Sequence, residues 1–125
     1  MVKTAISILV AFALVVGISL LEFHQMQTSF SLLESAFRSL YLKTERETAT
    51  HEDGKVVKTL WEREKRTLHF WLPHAVVDSV DFQLEEAIGF LYEFDYQDAL
   101  PKIEILIDLV EYLPTAYALR LENVF

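Results

Sequence analysis

The sequence predicts an all-α protein in which an N-terminal transmembrane helix continues into an antiparallel bundle of about four helices. Three observations lead to this prediction. An uncharged apolar segment opens the chain, apolar residues elsewhere recur at intervals of three and four, and no stretch shows the strict alternation of a strand. The chain has 125 residues, of which 52% are hydrophobic, with few glycines and prolines, so disorder is excluded and one domain of ordinary size is expected.

The first element is the apolar segment, residues 4–21, which contains no charged side chain. An α-helix of that length extends about 27 Å, close to the roughly 30 Å hydrocarbon core of a bilayer. Lys3 precedes the segment, and the next basic residue after it is Arg38. The positive-inside rule therefore predicts a cytoplasmic N-terminus, a membrane anchor over residues 1–21 and an extracytoplasmic helical domain over residues 22–125 in the cell membrane.

A cleaved signal peptide is the alternative for this segment. It requires small residues at a cleavage site beyond a shorter apolar core, whereas Ala11 and Ala13 lie in the middle of the span. The residues that follow also share a register with the segment. They are apolar at intervals of three and four, in phase with Phe12 and Val16: Phe23, Met26, Phe30, Leu33, Phe37 and Leu40. One unbroken helix from the bilayer into the domain is therefore expected, with the anchor retained.

That spacing is also the a/d pattern of a coiled coil. The row of apolar residues from Phe23 to Leu40, called the seam below, either pairs two copies of the chain or packs inside its own bundle. It lasts less than three heptads outside the membrane, which favours packing inside the bundle. Ala13 and Gly17 form a small-x-x-x-small pair, a weak indication of contact between two spanning helices.

Polar residues from Lys43 to Gly54 predict a connection, and Thr50 or Asp53 is expected to cap the helix that follows. Pro73 predicts a break near Leu72. The second helix should bury apolar residues along one side, namely Val57, Leu60, Trp61, Leu68 and Trp71.

A third helix is expected from about His74 to Phe94. Its helical spacing predicts six buried apolar residues: Val77, Val80, Leu84, Ala87, Ile88 and Leu91. A fourth helix is expected after a turn at residues 95–98, with Asp98 as its N-cap and Pro101 in its first turn. Pro114 is expected to end the fourth helix. The apolar residues beyond it predict a docked tail: Tyr117, Leu119, Leu121, Val124 and Phe125.

The fourth helix is apolar on nearly every side except for a narrow face with Glu104, Asp108 and Glu111. A helix of this kind is either enclosed by neighbours or holds a partner. We assign a candidate partner interface to three of its residues, Ile105, Leu109 and Tyr112. The expected partner is another protein or a second copy of the chain.

One polar face suggests a binding site for a cation or a small ligand. His74, Asp78, Asp81 and Glu85 lie at i, i+4, i+7 and i+11 on the third helix, within an arc of about 60°. Histidine beside carboxylates suits metal ligation or a pH-sensitive charge pair. The simpler interpretation is a solvated face, because acidic residues early in a helix are favoured by its dipole. An interaction protein is the first hypothesis, and a sensor using this face is the alternative.

Charge and motifs exclude several other functions. Residues 74–125 carry Lys102 and Arg120 against eleven carboxylates, which opposes binding of nucleic acid. No Cys is present, and the sequence has no Gly-rich phosphate loop, no His-Glu-x-x-His and no Gly-x-Ser-x-Gly. We therefore predict a protein without enzymatic activity or a cofactor. A hydrolase is the third hypothesis, after the interaction protein and the sensor.

Four stretches carry a resemblance to a known family: Trp61, the run from His74 to Leu84, the helix Ala99–Leu113, and the closing Leu121-Glu122-Asn123-Val124-Phe125. In these the chain resembles an uncharacterised family of short bacterial proteins, mainly from spore-forming Firmicutes. Pro101 and the loop Thr44–Gly54 depart from the usual pattern. The resemblance implies an N-terminal anchor, a small helical domain and a Gram-positive cell membrane. It implies no activity and no functional residue.

Overall fold

A computed structural model describes the backbone of residues 1–69 and 72–124 and the side chains of residues 1–69 and 72–112. These residues form four α-helices and no strand: α1 Val2–Glu45, α2 His51–Leu68, α3 His74–Tyr92 and α4 Tyr96–Val124. Each helix packs on the next, and α4 returns to pack on α1. Short connections make consecutive helices antiparallel. The predicted all-α bundle is confirmed.

The first helix is continuous over 44 residues, or about 66 Å. Its apolar N-terminal half and its bundle half therefore form one rod, as the shared register predicted. Side chains of the seam are buried from Met26 onward, and Phe23 is partly buried. The seam is thus filled by the helices of its own chain, which confirms packing inside the bundle.

The core lies between the four helices and takes side chains from all of them. Among the described side chains, Trp61 is the largest that is fully buried, with only 1% exposed. On α3 the buried residues are Val77, Val80, Leu84, Ala87 and Leu91, all predicted from their spacing, while Ile88 is partly buried. Helical periodicity thus identified the core face of α3 correctly.

The connection between α1 and α2 combines two capping motifs. The N–H of Thr48 donates to the Lys43 carbonyl oxygen and that of Glu47 to the Thr44 carbonyl oxygen, which is a Schellman motif with Glu47 at φ 58°. Thr50 is the N-cap of α2, and its hydroxyl accepts from the Asp53 N–H while the Asp53 carboxylate accepts from the Thr50 N–H. Thr50 is therefore the cap, and Asp53 completes the capping box.

The break at Pro73 is confirmed, because α2 ends at Leu68 and α3 begins directly after the proline. Leu72 is partly buried against the core. Trp71, expected on the buried side of α2, lies outside the described residues.

The start of α4 differs from the prediction. A second Schellman motif, with Phe94 at φ 58°, ends α3 at Tyr92, two residues before the expected end. Asp95 then caps α4, since its Oδ1 accepts from the Asp98 N–H at 3.1 Å. The prediction of Asp98 as N-cap is wrong, and Pro101 lies in the second turn because the helix starts at Tyr96.

The prediction that Pro114 ends α4 is also wrong, because the helix continues to Val124. A proline in a helix interior costs about 3 kcal/mol through a lost hydrogen bond and a clash. As a whole, α4 packs along both α1 and α3, and most of the stability of helices in proteins comes from such packing rather than from local propensity. The predicted docking of the tail depends on side chains after Tyr112, which lie outside the described ones.

Candidate functional site

The apolar half of α1 lies entirely outside the bundle. A window of 18 residues within it has a mean hydropathy of 2.6, and none of that window is buried. Its large side chains, from Val2 to Leu21, are exposed. A core helix of similar composition would be covered by its neighbours, whereas this segment has no covering within residues 1–69 and 72–112. One helix is therefore long and apolar enough to cross a membrane.

The predicted polar face of α3 is divided between different contacts. Asp81 accepts from the Trp61 indole Nε1 at 2.6 Å and from the Lys65 Nζ at 3.0 and 3.3 Å. The hydrogen bond that Lys65 donates to Asp81 is the main reason that the pKa of Lys65 is raised. Asp81 thus accepts a hydrogen bond from the indole N–H of a buried tryptophan. Such a buried donor is costly to leave unpaired.

Glu85 forms an ion pair with Lys58, and the hydrogen bond that Lys58 donates to Glu85 raises the pKa of that lysine. The His74 ring meets the His69 ring edge to face, with centroids 5.0 Å apart. Asp78 is exposed to solvent. The four residues of the face therefore share a helix side without converging on one point.

No three His, Asp or Glu side chains in the described part of the chain are grouped so that they could hold a metal ion. A cation at this face would also have to compete with Lys58 and Lys65 for two of its carboxylates. Cation binding by His74, Asp78, Asp81 and Glu85 stays a prediction, and the observed contacts favour a structural role for Asp81.

The candidate interface on α4 is partly explained by packing. Several of its described apolar side chains enter the core, including Ile103, Leu106, Ile107 and Val110. Leu109 is partly buried, Ile105 is 38% exposed and Tyr112 is 67% exposed. These three are spaced i, i+4 and i+7, so they form one stripe on the outer side of the helix.

Sequence reasoning missed the polar contacts that join the helices. Ser29 donates to Glu64 at 2.7 Å, Lys102 pairs with Glu86 at 2.7 Å, and Arg38 pairs with Glu111. One feature of the sequence does indicate such a contact. Trp61 lies on an apolar face, and a buried indole N–H needs a hydrogen-bond acceptor. Which carboxylate would supply it depended on the packing of α2 on α3.

Comparison with protein families, curated proteins and solved structures finds no match to this chain.

Proposed function

We propose that the protein is a single-pass membrane protein whose helical bundle is an extracytoplasmic interaction domain without enzymatic activity. The observation that carries this proposal is the complete exposure of the apolar half of α1. About 18 apolar residues held in water would be strongly unfavourable, whereas the hydrocarbon core removes them from water and the helix satisfies their backbone groups.

Retention of the anchor is supported by the continuity of α1. The helix passes from the apolar segment into the buried seam without a break, and Ala11 and Ala13 lie within the span. A signal peptidase would need an accessible site after the apolar core, and the helix continues there into the bundle.

The orientation follows from the charges beside the segment. Lys3 lies before it, while Glu22 follows, and Arg38 is the first basic residue on the other side. We infer a cytoplasmic N-terminus and an external bundle. The resemblance to short Firmicutes proteins stays a prediction, and it favours a Gram-positive cell membrane.

We assign the interaction role to the stripe of Ile105, Leu109 and Tyr112, with a protein or a second copy of the chain as partner. A second copy would not use the seam on α1, since Leu33 and Phe37 are fully buried within one chain. Tyrosine and large aliphatic residues are typical anchors of protein interfaces.

The absence of enzymatic activity is proposed from the sequence and from the polar contacts. The chain lacks the loops that hold phosphates or activate a serine. Among the described residues, the carboxylates of Asp81 and Glu85 are already bound to lysines.

Membrane insertion and orientation can be tested together, because the chain has no cysteine of its own. Thr48→Cys lies in the connection at the far end of the bundle, and Val2→Cys lies at the N-terminus. In intact cells, an impermeant maleimide should label Thr48→Cys, whereas Val2→Cys should require permeabilisation. The protein should also resist alkaline extraction from membranes. Soluble fractionation would contradict the anchor, and the opposite labelling pattern would contradict the orientation.

The interface is tested by photocrosslinking in membranes. A benzophenone side chain at Tyr112 or Ile105 should give a defined adduct with a partner or with a second copy. The same group at Thr59, an exposed residue of α2, is the control and should give none. Equal crosslinking at all three positions, or none at any, would contradict an interface on α4.

A further inference from the structure

A groove with a volume of about 410 Å³ lies between α1 and α4 on the outside of the bundle. The ion pair between Arg38 on α1 and Glu111 on α4 crosses it and holds the two helices in register. Its lining is part apolar and part charged. Tyr41 and Leu42 supply apolar surface, and the charged lining consists of Arg38, Glu104, Asp108 and Glu111.

The groove has an excess of negative charge. Among the described side chains, Arg38 is the only cation that lines it, and Arg38 already pairs with both Glu34 and Glu111. Glu104 lies about 10 Å farther along α4 than Glu111, by the helical rise. Neither Glu104 nor Asp108 has an ion pair with a described side chain, and like charges at i and i+4 repel each other.

The other basic side chains near this part of α1 and α4 are directed elsewhere. Lys43 pairs with Asp53 on α2, and Lys102 pairs with Glu86 on α3. Arg46, the C-cap of α1, lies on the side of that helix opposite the core by the helical spacing. Glu45 lies one turn beyond Tyr41 on the groove side and adds a further carboxylate. The negative charge of the groove is therefore not neutralised by the described part of the chain.

The acidic lining borders the apolar stripe on α4 to which we assigned the interaction role. At about 100° per residue, Asp108 lies about 40° from Tyr112 and about 60° from Ile105 around the helix. Across the groove, Leu42 on α1 is 49% exposed. The outer side of α4 and the groove thus form one continuous surface, in which an apolar strip runs beside an acidic strip.

The extent of this surface and its distance from the membrane indicate what kind of partner it fits. Its three carboxylates on α4 extend over about 10 Å, and in the described part of the chain no three acidic or histidine side chains are grouped to hold a metal ion. Arg38 lies about 25 Å beyond Leu21 along α1. That distance exceeds the Debye length of about 10 Å in 0.1 M salt, so the charges of a bilayer surface are screened at the groove. An extended basic segment of another protein fits the surface better than a metal ion or a lipid headgroup.

We propose that the groove between α1 and α4 binds a basic amphipathic helix of a partner protein. Lysine or arginine side chains of that helix pair with Glu104 and Asp108, since basic residues at i and i+4 repeat the spacing of these two carboxylates. The apolar side of the partner helix covers the stripe of Ile105, Leu109 and Tyr112, as amphipathic helices do in hydrophobic grooves. This proposal rests on the proposed function, because it names the chemistry of the partner that the stripe binds.

The test uses the full chain in native membranes, with a benzophenone side chain either at Leu42 in the groove or at Tyr112 on the stripe. Both positions should crosslink to the same segment of one partner protein. Mass spectrometry of the crosslinked peptide should find lysine or arginine at a spacing of three or four residues, beside apolar residues at helical intervals. The same group at Thr59 on α2 is the control position, and it should give no adduct.

A charge variant tests the electrostatic part of the contact. Glu104→Gln combined with Asp108→Asn should lower the adduct yield about three- to tenfold, because two charge pairs with the partner are lost. Glu62→Gln combined with Asp78→Asn removes two exposed carboxylates from α2 and α3 and should leave the yield unchanged. Raising the salt concentration should weaken crosslinking of the unchanged protein, which repeats the test without any substitution.

The outcomes separate this proposal from the proposed function. If Tyr112 gives an adduct whose yield depends on neither salt nor the charges of Glu104 and Asp108, the interface on α4 stands and the basic partner is overturned. A crosslinked segment that lacks paired basic residues, or that belongs to a second copy of the chain, overturns it as well. If neither Leu42 nor Tyr112 gives more adduct than Thr59, both the basic partner and the proposed interaction role are overturned.

Discussion

The indole Nε1 of Trp61 on α2 lies 2.6 Å from the Oδ1 of Asp81 on α3. This contact joins a fully buried indole to a carboxylate that also binds Lys65. It turns a residue of a candidate cation face into a specific link between two helices.

The first prediction concerns this link. Asp81→Ala leaves the indole N–H of Trp61 buried and unpaired, so the free energy of unfolding should fall by about 1–3 kcal/mol. Denaturant unfolding of the full chain in detergent, followed by circular dichroism, measures the change. Asp78→Ala on the same helix is the matched control, since Asp78 is exposed. Equal effects of the two substitutions would show that the link does not stabilise the fold.

The second prediction compares two glycines within helices. A Cβ at Gly54 would lie 2.8 Å from the Cγ1 of Ile88, whereas a Cβ at Gly89 would meet nothing within 4 Å. Alanine is favoured over glycine in a helix by about 1 kcal/mol. Gly89→Ala should therefore raise the melting temperature, while Gly54→Ala should lower it because overpacking costs typically 1–3 kcal/mol. Adding Ile88→Ala to Gly54→Ala should remove the steric overlap with the new Cβ. A rise in melting temperature for Gly54→Ala alone would contradict this close packing.

The third prediction concerns Glu47, which has a left-handed backbone at the end of α1. Glycine adopts this conformation without the penalty of about 1–2 kcal/mol that a Cβ incurs. Glu47→Gly should therefore stabilise the protein by about 1 kcal/mol in denaturant unfolding. Glu47→Ala removes the same carboxylate and keeps the Cβ, so it should give no such gain. A similar gain from both variants would point to charge rather than conformation.

The fourth prediction concerns the capping box of α2. The hydrogen bond from the Thr50 N–H lowers the pKa of Asp53 below its ordinary value of 3.8, and Lys43 adds to the effect. A lowered folded-state pKa gives stability that is present above the unfolded-state value and is lost as the pH falls through the folded-state value. Asp53→Asn should cost about 1 kcal/mol at pH 7, and the difference should shrink in acid. Glu52→Gln, in the same helical turn, should change stability little because its ion pairs are exposed.

The fifth prediction concerns two neighbouring carboxylates at the start of α4. A hydrogen bond with Asp95 and the negative charge of Asp95 raise the pKa of Asp98 above 3.8. The native state therefore binds a proton at Asp98 more readily than the unfolded state does. Stability falls as the pH rises from the unfolded-state pKa of Asp98 through its higher folded-state pKa. Asp98→Asn should melt at a higher temperature than the unchanged protein at neutral pH, with an advantage that shrinks in acid. Asp108→Asn, in the middle of the same helix, is the control. If Asp98→Asn raised the melting temperature by the same amount at every pH, repulsion between Asp95 and Asp98 would be excluded as the cause.

The fold was largely predictable because its determinants are local and repeated. Intervals of three and four identified the buried residues of α1 and α3, and Thr50 and Pro73 identified where α2 and α3 begin. The ends of α3 and α4 were less predictable. Phe94 adopts a left-handed conformation that a sequence rule assigns to glycine, and α4 continues through Pro114.

The candidate sites show the same division. The sequence placed His74, Asp78, Asp81 and Glu85 on one side of α3, and placed Ile105, Leu109 and Tyr112 on one side of α4, because helical spacing alone fixes these relationships. It could not assign Asp81 to Trp61 and Lys65, or Glu85 to Lys58, since those partners lie on another helix.

The sequence by itself determined the helical class, the apolar segment of α1 and the faces that enter the core, because hydrophobic periodicity acts within each helix. Tertiary structure alone decided which helices are neighbours, which carboxylates meet which lysines, and how far the bundle lies from the end of the apolar segment. Those properties depend on the register between helices, and that register is set by contacts such as Ser29 with Glu64, which are distant in the chain.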